Sequence, residues 1–166
     1  MRAVSSKRAD KRAALTEAVV AHLLTHGLGD SGVRALARAA GTSDRMLLYY
    51  FGTKDDALRA AFAVITEGLS ATIEAAVPPG QFSRGKLLEA LLEAGRDPVM
   101  RPGMSLWFEI IGRAMRGEPV YLETARAMAA AFEEFIASRL STSARPRARE
   151  VLAELEGRLL VELISP

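Results

Sequence analysis

The sequence predicts an all-α protein, and three observations carry that prediction. Apolar residues recur at three- and four-residue spacing along nearly the whole chain, which is the period of a helix with one buried face. Alanine, leucine and arginine dominate, all good helix formers, while valine and isoleucine are too scattered to build strands. The periodic stretches are punctuated by glycine and proline, most sharply at Val77-Pro78-Pro79-Gly80, where no helix can continue. A chain of 166 residues with 49% hydrophobic and 25% charged residues has enough apolar surface to fold without a covalent staple.

Taken in order, residues 1–6 read as a frayed end, and a first helix runs from about Lys7 to His26. Leu15, Val19 and Leu23 share its buried face, and Gly27 stops it. Asp30 and Ser31 open a second helix that Gly41 closes. A third covers about Thr42 to Tyr50 and ends at Gly52. Thr53 begins a long fourth helix with Ala57, Leu58, Ala61, Phe62 and Ile65 facing inward, and Thr53 with Asp56 forms a capping pair that fixes its start. Beyond the prolines, helices fall near Ser83–Arg96, Gly103–Arg116, Pro119–Leu140 and Pro146–Leu163. They are separated by turns at Asp97-Pro98, Arg101-Pro102-Gly103 and Gly117-Glu118-Pro119. The domain boundary is placed at 52/53: residues 1–52 form one unit, and 53–166 form a second that opens with a connecting helix over 53–77.

Charge is distributed unevenly along the chain. Residues 1–60 hold ten Lys or Arg against six Asp or Glu, whereas the remainder is slightly acidic. A polyanion-facing N-terminal part and a merely solvated basic face account equally well for that asymmetry. The second and third helices favour the former. Ala37 is small where two steeply crossed helices approach most closely, Gly41 permits the left-handed corner, and Leu36 and Leu47 close a small core. Such a helix-turn-helix presents the start of its second helix to base edges and phosphates, and there stand Thr42, Ser43 and Arg45. Tyr49 and Tyr50 follow at its end, with Phe51 directed inward. Lys54 sits in the first turn of the fourth helix, where a cation opposes the helix dipole unless an anion joins it. An ordinary helical hairpin would not need this set of residues.

The run from Gly41 through Tyr49-Tyr50-Phe51-Gly52-Thr53-Lys54 to Leu58 resembles the signature of the TetR-type (TetR/AcrR-like) transcriptional regulators. Gly27 and Ser31–Ala37 resemble the second helix of that family, and the likeness extends over about residues 8–62. Thr42, Arg45, Leu48 and Tyr50 depart from the usual residues at their positions. The resemblance implies contacts from Ser43, Tyr49, Tyr50 and Lys54 to the DNA backbone, assisted by Ser31 and Arg34. Arg45 has the reach and fork geometry to read a guanine edge.

The resemblance further implies a C-terminal helical domain that binds a small effector and forms a homodimer. Met104, Trp107, Phe108 and Ile111 recur on one broad face that Phe82 could oppose, which suits an apolar or aromatic effector as well as it suits plain core. Glu109 and Arg113, four residues apart, most simply form a surface ion pair; alternatively they orient a polar effector group. Met128, Phe132 and Phe135 line one late helix and Leu152, Leu155 and Leu159 another. Those stripes serve either a four-helix dimer seam or the interior of one subunit.

The sequence contains no cysteine, which excludes disulfides and thiol chemistry. It also lacks nucleophile-elbow, phosphate-loop and dinucleotide motifs. His22 and His26, four apart, have no evident third ligand, so neither a metal site nor a cofactor is expected. No apolar run is long enough to cross a membrane, and a cytoplasmic protein is expected. The leading expectation is therefore a DNA-binding regulator and not an enzyme: a homodimeric repressor released from a palindromic operator by a small apolar or aromatic effector. The alternative is a helical ligand-binding or protein-interaction module without specific DNA binding.

Overall fold

A computed structural model describes residues 2–165, with side chains placed over 7–165. It contains eight α-helices: α1 (Arg2–His26), α2 (Val33–Ala39), α3 (Asp44–Phe51), α4 (Lys54–Ala76), α5 (Arg84–Arg96), α6 (Arg101–Ala114), α7 (Pro119–Arg139) and α8 (Ala148–Ile164). A single 3-10 turn, Arg145–Arg147, leads into α8. No strand forms among the described residues; Phe82 and Leu140 make one isolated parallel bridge that ties the start of α5 to the end of α7.

Boundaries shift where local chemistry decides them. Helix α1 begins at Arg2 instead of Lys7. Helix α2 begins at Val33 without a side-chain cap. The two residues expected to open it are engaged elsewhere: Ser31 Oγ donates to the Leu28 carbonyl at 2.8 Å, and Asp30 pairs with Arg38 at 3.3 Å. Helix α6 gains two residues at its start, since Pro102 fits the first turn, where the missing N–H would have no partner.

The core falls into two clusters. The first joins Leu15, Val19 and Leu23 of α1, Leu36 and Leu47 of the short helices, and Leu58 and Phe62 of α4 to Leu106 and Ile110 of α6 and Tyr121 of α7. The second gathers Ile73 with Leu87 and Leu91 of α5, Ile136 of α7 and Val151, Leu152, Leu155 and Leu159 of α8. Helices α4, α6 and α7 therefore belong to both halves of the molecule.

A polar contact reinforces that sharing. Gly27, at φ 67°, closes α1, and the next N–H, that of Leu28, donates to Glu109 Oε2 of α6 at 2.7 Å. The ion pair expected between Glu109 and Arg113 does not form, and no effector is needed to explain either residue. Exposed pairs four residues apart contribute only a few tenths of a kcal/mol, whereas a carboxylate accepting a backbone N–H makes a stronger, charge-assisted bond. Arg113 turns instead to Glu118 at 3.4 Å and to the Tyr121 ring. A Cβ at position 27 would lie 2.4 Å from Glu109 Oε1 in a left-handed backbone conformation. Gly27→Ala is therefore expected to destabilise the fold by about 1–2 kcal/mol and to accelerate exchange of the Leu28 amide. Denaturant titration and hydrogen exchange check both; unchanged values would show that the contact carries no weight.

Candidate nucleic-acid interface and internal cavity

Helices α2 and α3 meet at Gly41, whose φ of 61° supplies the left-handed corner. A Cβ there would meet nothing within 4 Å, so the demand is one of backbone conformation and not of space. Ala37 is 1% exposed at the crossing, Leu36 and Leu47 are fully buried beside it, and the Thr42 N–H closes the turn onto the Ala37 carbonyl at 2.9 Å. Ser43 caps α3 by accepting the Met46 N–H at 3.3 Å. With Leu47 and Phe51 turned inward, α3 leaves Arg45, Met46, Leu48 and Tyr49 exposed. Tyr49 packs edge-on to Tyr50 at 5.2 Å, and the Arg8 guanidinium of α1 lies 5.1 Å from its ring centroid. The result is a polar, partly aromatic and basic surface centred on α3.

The start of α4 borders that surface. Thr53 accepts the Asp56 N–H at 3.0 Å and donates its hydroxyl to the same residue's carboxylate at 2.7 Å. This bond, aided by Arg59, holds the Asp56 carboxyl below its ordinary value. Lys54 is half-buried and only loosely paired with Asp55 at 3.8 Å, so its ammonium remains available to an anion.

An internal cavity lies at the junction of the two core clusters. Ile73 of α4, Leu91 of α5, Met100, Met104 and Trp107 of the α6 region, Phe132 of α7 and Leu152, Leu155 and Leu159 of α8 wall it. Its volume is about 40 Å³, space for a water or two. The one charged group at its wall is Glu156, whose Oε1 accepts the Trp107 indole N–H at 3.1 Å. Burial raises the Glu156 carboxyl above its ordinary value, and the indole bond opposes that shift only in part.

Residues 15–61, the stretch holding the helix-turn-helix and its flanking helices, match the family model of bacterial regulatory proteins of the tetR family. The N-terminal part of the chain is similar to the TetR family. Solved structures extend the fold likeness to both halves. A protein from Rhodococcus sp. assigned to this family superposes with a TM-score of 0.73 at 24% identity, covering 93% of this chain and 88% of its own. A transcriptional regulator from Rhodococcus sp. Rha1 gives 0.74 at 22% identity, with 93% and 84% covered. The multidrug binding protein EbrR, complexed with proflavin, gives 0.73 at 26% identity, with 93% and 89% covered. No curated protein sequence matches the chain. The matched stretch contains α2 and α3, so the surface around α3 lies within the region of likeness. Among the described residues, no helix is long and apolar enough to cross a membrane.

The structure distributes the residues singled out from sequence unevenly. Arg34, Ser43, Arg45 and Tyr49 are exposed, and Thr42, Tyr50 and Lys54 half-buried, all around α3. Ser31 is an exception: it is 8% exposed and its hydroxyl holds the α1–α2 turn, so it offers nothing outward. Met104 and Trp107 line the cavity, whereas Phe108 and Ile111 pack on the N-terminal cluster and Phe82 sits on the α5–α7 bridge. One residue step turns a helix by about 100°, which carries Phe108 off the cavity face; Ile111 lies one turn beyond the cavity, toward α1. Met128, Leu152, Leu155 and Leu159 are buried inside the single chain, and Phe132 and Phe135 are half-buried, so those six do not form an outward stripe. The spacing of α8 explains this, since the inward leucines face α5 and α7. His22 donates through Nε2 to the Asp30 carbonyl at 2.8 Å, a tie across the same turn. Sequence reasoning missed Met46, which is 40% exposed beside Arg45, and Glu156. The signal for Glu156 was a lone acid at i+4 from Leu152 and i−3 from Leu159, on the margin of an apolar face.

Because its carboxyl is raised in the folded state, Glu156 favours folding most when protonated. Its contribution is present below the ordinary carboxyl value and is lost as pH rises through the raised one. Thermal melts of Glu156→Gln against wild type are expected to show the variant gaining relative stability as pH rises from acid to neutral. A difference independent of pH would contradict the burial effect.

Proposed function

We propose that this chain is a TetR-family homodimeric repressor whose two α3 helices read a palindromic operator, and that a small effector entering the cavity releases it. The observation that carries this reading is that two helices walling the cavity, α4 and α6, also hold the surface around α3 in place. Helix α4 bears Lys54 at one end and Ile73 of the cavity wall near the other. Helix α6 contributes Met104 and Trp107 to the cavity and Glu109 to the α1–α2 turn. At 1.5 Å per residue, the 23 residues of α4 span about 34 Å, comparable to the spacing of successive major-groove faces.

The size of the cavity supplies the switch. Drug-sized ligands occupy roughly 300–1,000 Å³, so an effector binds only a form in which Met100, Met104 or Phe132 has moved. Such a ligand prefers the expanded state, and its differential affinity is what shifts the equilibrium. The likeness to EbrR, which binds proflavin, supports an aromatic effector.

On the DNA side, Ser43, Tyr49, Tyr50, Lys54 and Arg34 hold phosphates, while Arg45 and Thr42 face base edges, with Met46 available to a thymine methyl. The dimer seam moves to the outward face of α8, where Ala153, Gly157, Leu160, Val161 and Ile164 follow helical spacing. Leu160 is 40%, Val161 58% and Ile164 76% exposed. A second copy of the same stripe is its self-complementary partner.

Three outcomes are expected. Lys54→Ala weakens binding to all duplexes about equally and lowers the salt slope by roughly one unit. Arg45→Ala relaxes preference at one base pair per half-site at a cost of about 1–3 kcal/mol; sequence selection from random duplex separates the two. Val161→Glu weakens dimerisation and operator binding together, read by sedimentation and operator titration. A Val161→Glu monomer that bound a palindromic site at full affinity would overturn the seam.

A further inference from the structure

We infer that the cavity selects an organic cation, with Glu156 supplying the counter-charge and Trp107 the aromatic surface. The inference rests on the proposed effector role of that cavity and adds the charge class of the ligand.

Among the described residues, two acids of α8 have no ion pair, Glu150 and Glu156; Glu150 is exposed, whereas Glu156 is half-buried at the cavity wall. Glu154 pairs with Arg84 and Arg158, and Glu162 pairs with Arg96. No ion pair to Glu156 occurs among the described residues, although the sequence holds 22 Lys and Arg. Its polar contact is the neutral indole N–H of Trp107. All other lining positions are apolar: Ile73, the two methionines, Phe132 and the leucines of α5 and α8, with Gly95 at the edge. A half-buried carboxylate in such surroundings loses hydration without gaining a charged partner.

A glutamine at this position would make the same indole hydrogen bond without that penalty. The carboxylate therefore brings one property that packing does not require, a negative potential directed at whatever fills the space. A neutral aromatic ligand would displace the remaining water from the carboxylate and leave it unpaired. An anion would add repulsion. An alkylammonium or heteroaromatic cation neutralises the carboxylate and, at hydrogen-bond distance from a residue that touches the indole, lies within reach of the ring for a cation–π contact. Met100 and Met104 have the flexibility to reshape around its apolar part.

Trp107 is the only tryptophan, so its emission reports on this cavity. The test titrates the full chain with three probes: benzyltrimethylammonium, its uncharged carbon isostere neopentylbenzene, and phenylacetate. Emission and calorimetry are read in parallel. The cation is expected to bind at least tenfold more tightly than the isostere, and phenylacetate more weakly still. Glu156→Gln, checked for native helicity, is expected to erase the cation's advantage and leave isostere binding within twofold. Equal binding of cation and isostere to wild type, or a preference that survives Glu156→Gln, would overturn the cation inference while leaving the effector cavity standing. Binding of none of the three would overturn both. The wild-type comparison decides the matter even if the variant does not fold.

Discussion

The hydrogen bond from the Leu28 N–H to Glu109 joins the turn that orients α2 to the helix that walls the cavity. A helix that ends on a left-handed glycine usually directs its following N–H groups back to its own last carbonyls. Here Gly27 does so, donating to the Leu23 carbonyl at 2.8 Å, while Leu28 reaches across to α6. The bond is charge-assisted and part-buried, beside a core in which Leu23 and Leu28 of the first half touch the same cluster as Leu106 and Ile110 of the second. The reading surface is consequently not a bead on a tether. Its position follows α6 and α4.

That arrangement explains why a cavity of so little volume is consequential. Tight packing makes cores respond to added volume by discrete rearrangement and not by gradual swelling. Any ligand larger than a water or two must displace a wall, and the walls come from α4, α5, α6, α7 and α8. Two of them are anchored in the N-terminal cluster, α4 through Leu58 and Phe62 and α6 through Leu106, Ile110 and Glu109. In the proposed regulator, ligand binding and DNA binding are thus alternative uses of one set of contacts.

Most helices were legible because they depend on local signals. Gly41 and Gly52 both take positive φ, Thr53 caps α4, and Leu36, Ala37 and Leu47 are buried as their spacing requires. The exposure of Arg34, Ser43, Arg45 and Tyr49 around α3 follows from the same spacing, whereas the Ser31 hydroxyl could cap, contact DNA or close a turn, and only the position of the Leu28 carbonyl decides among these. The second half was less legible. An apolar stripe states that a face is buried but not against what, so the leucines of α8 suited a seam and an interior equally. The Glu109 and Glu156 contacts join residues 81 and 49 positions apart in sequence, and no local pattern encodes such pairs.

The most direct test of the coupling removes its polar link without touching DNA or cavity. Operator affinity of Glu109→Ala is measured on a site selected by the wild-type protein, alongside exchange of the Leu28 amide. The account predicts faster exchange, a cooperative but lowered melt and operator binding weakened by about 5–150-fold, the range of ordinary coupling energies, with the preferred sequence unchanged. Faster exchange at Leu28 with full operator affinity would contradict it, because the reading surface would then hold its position without α6.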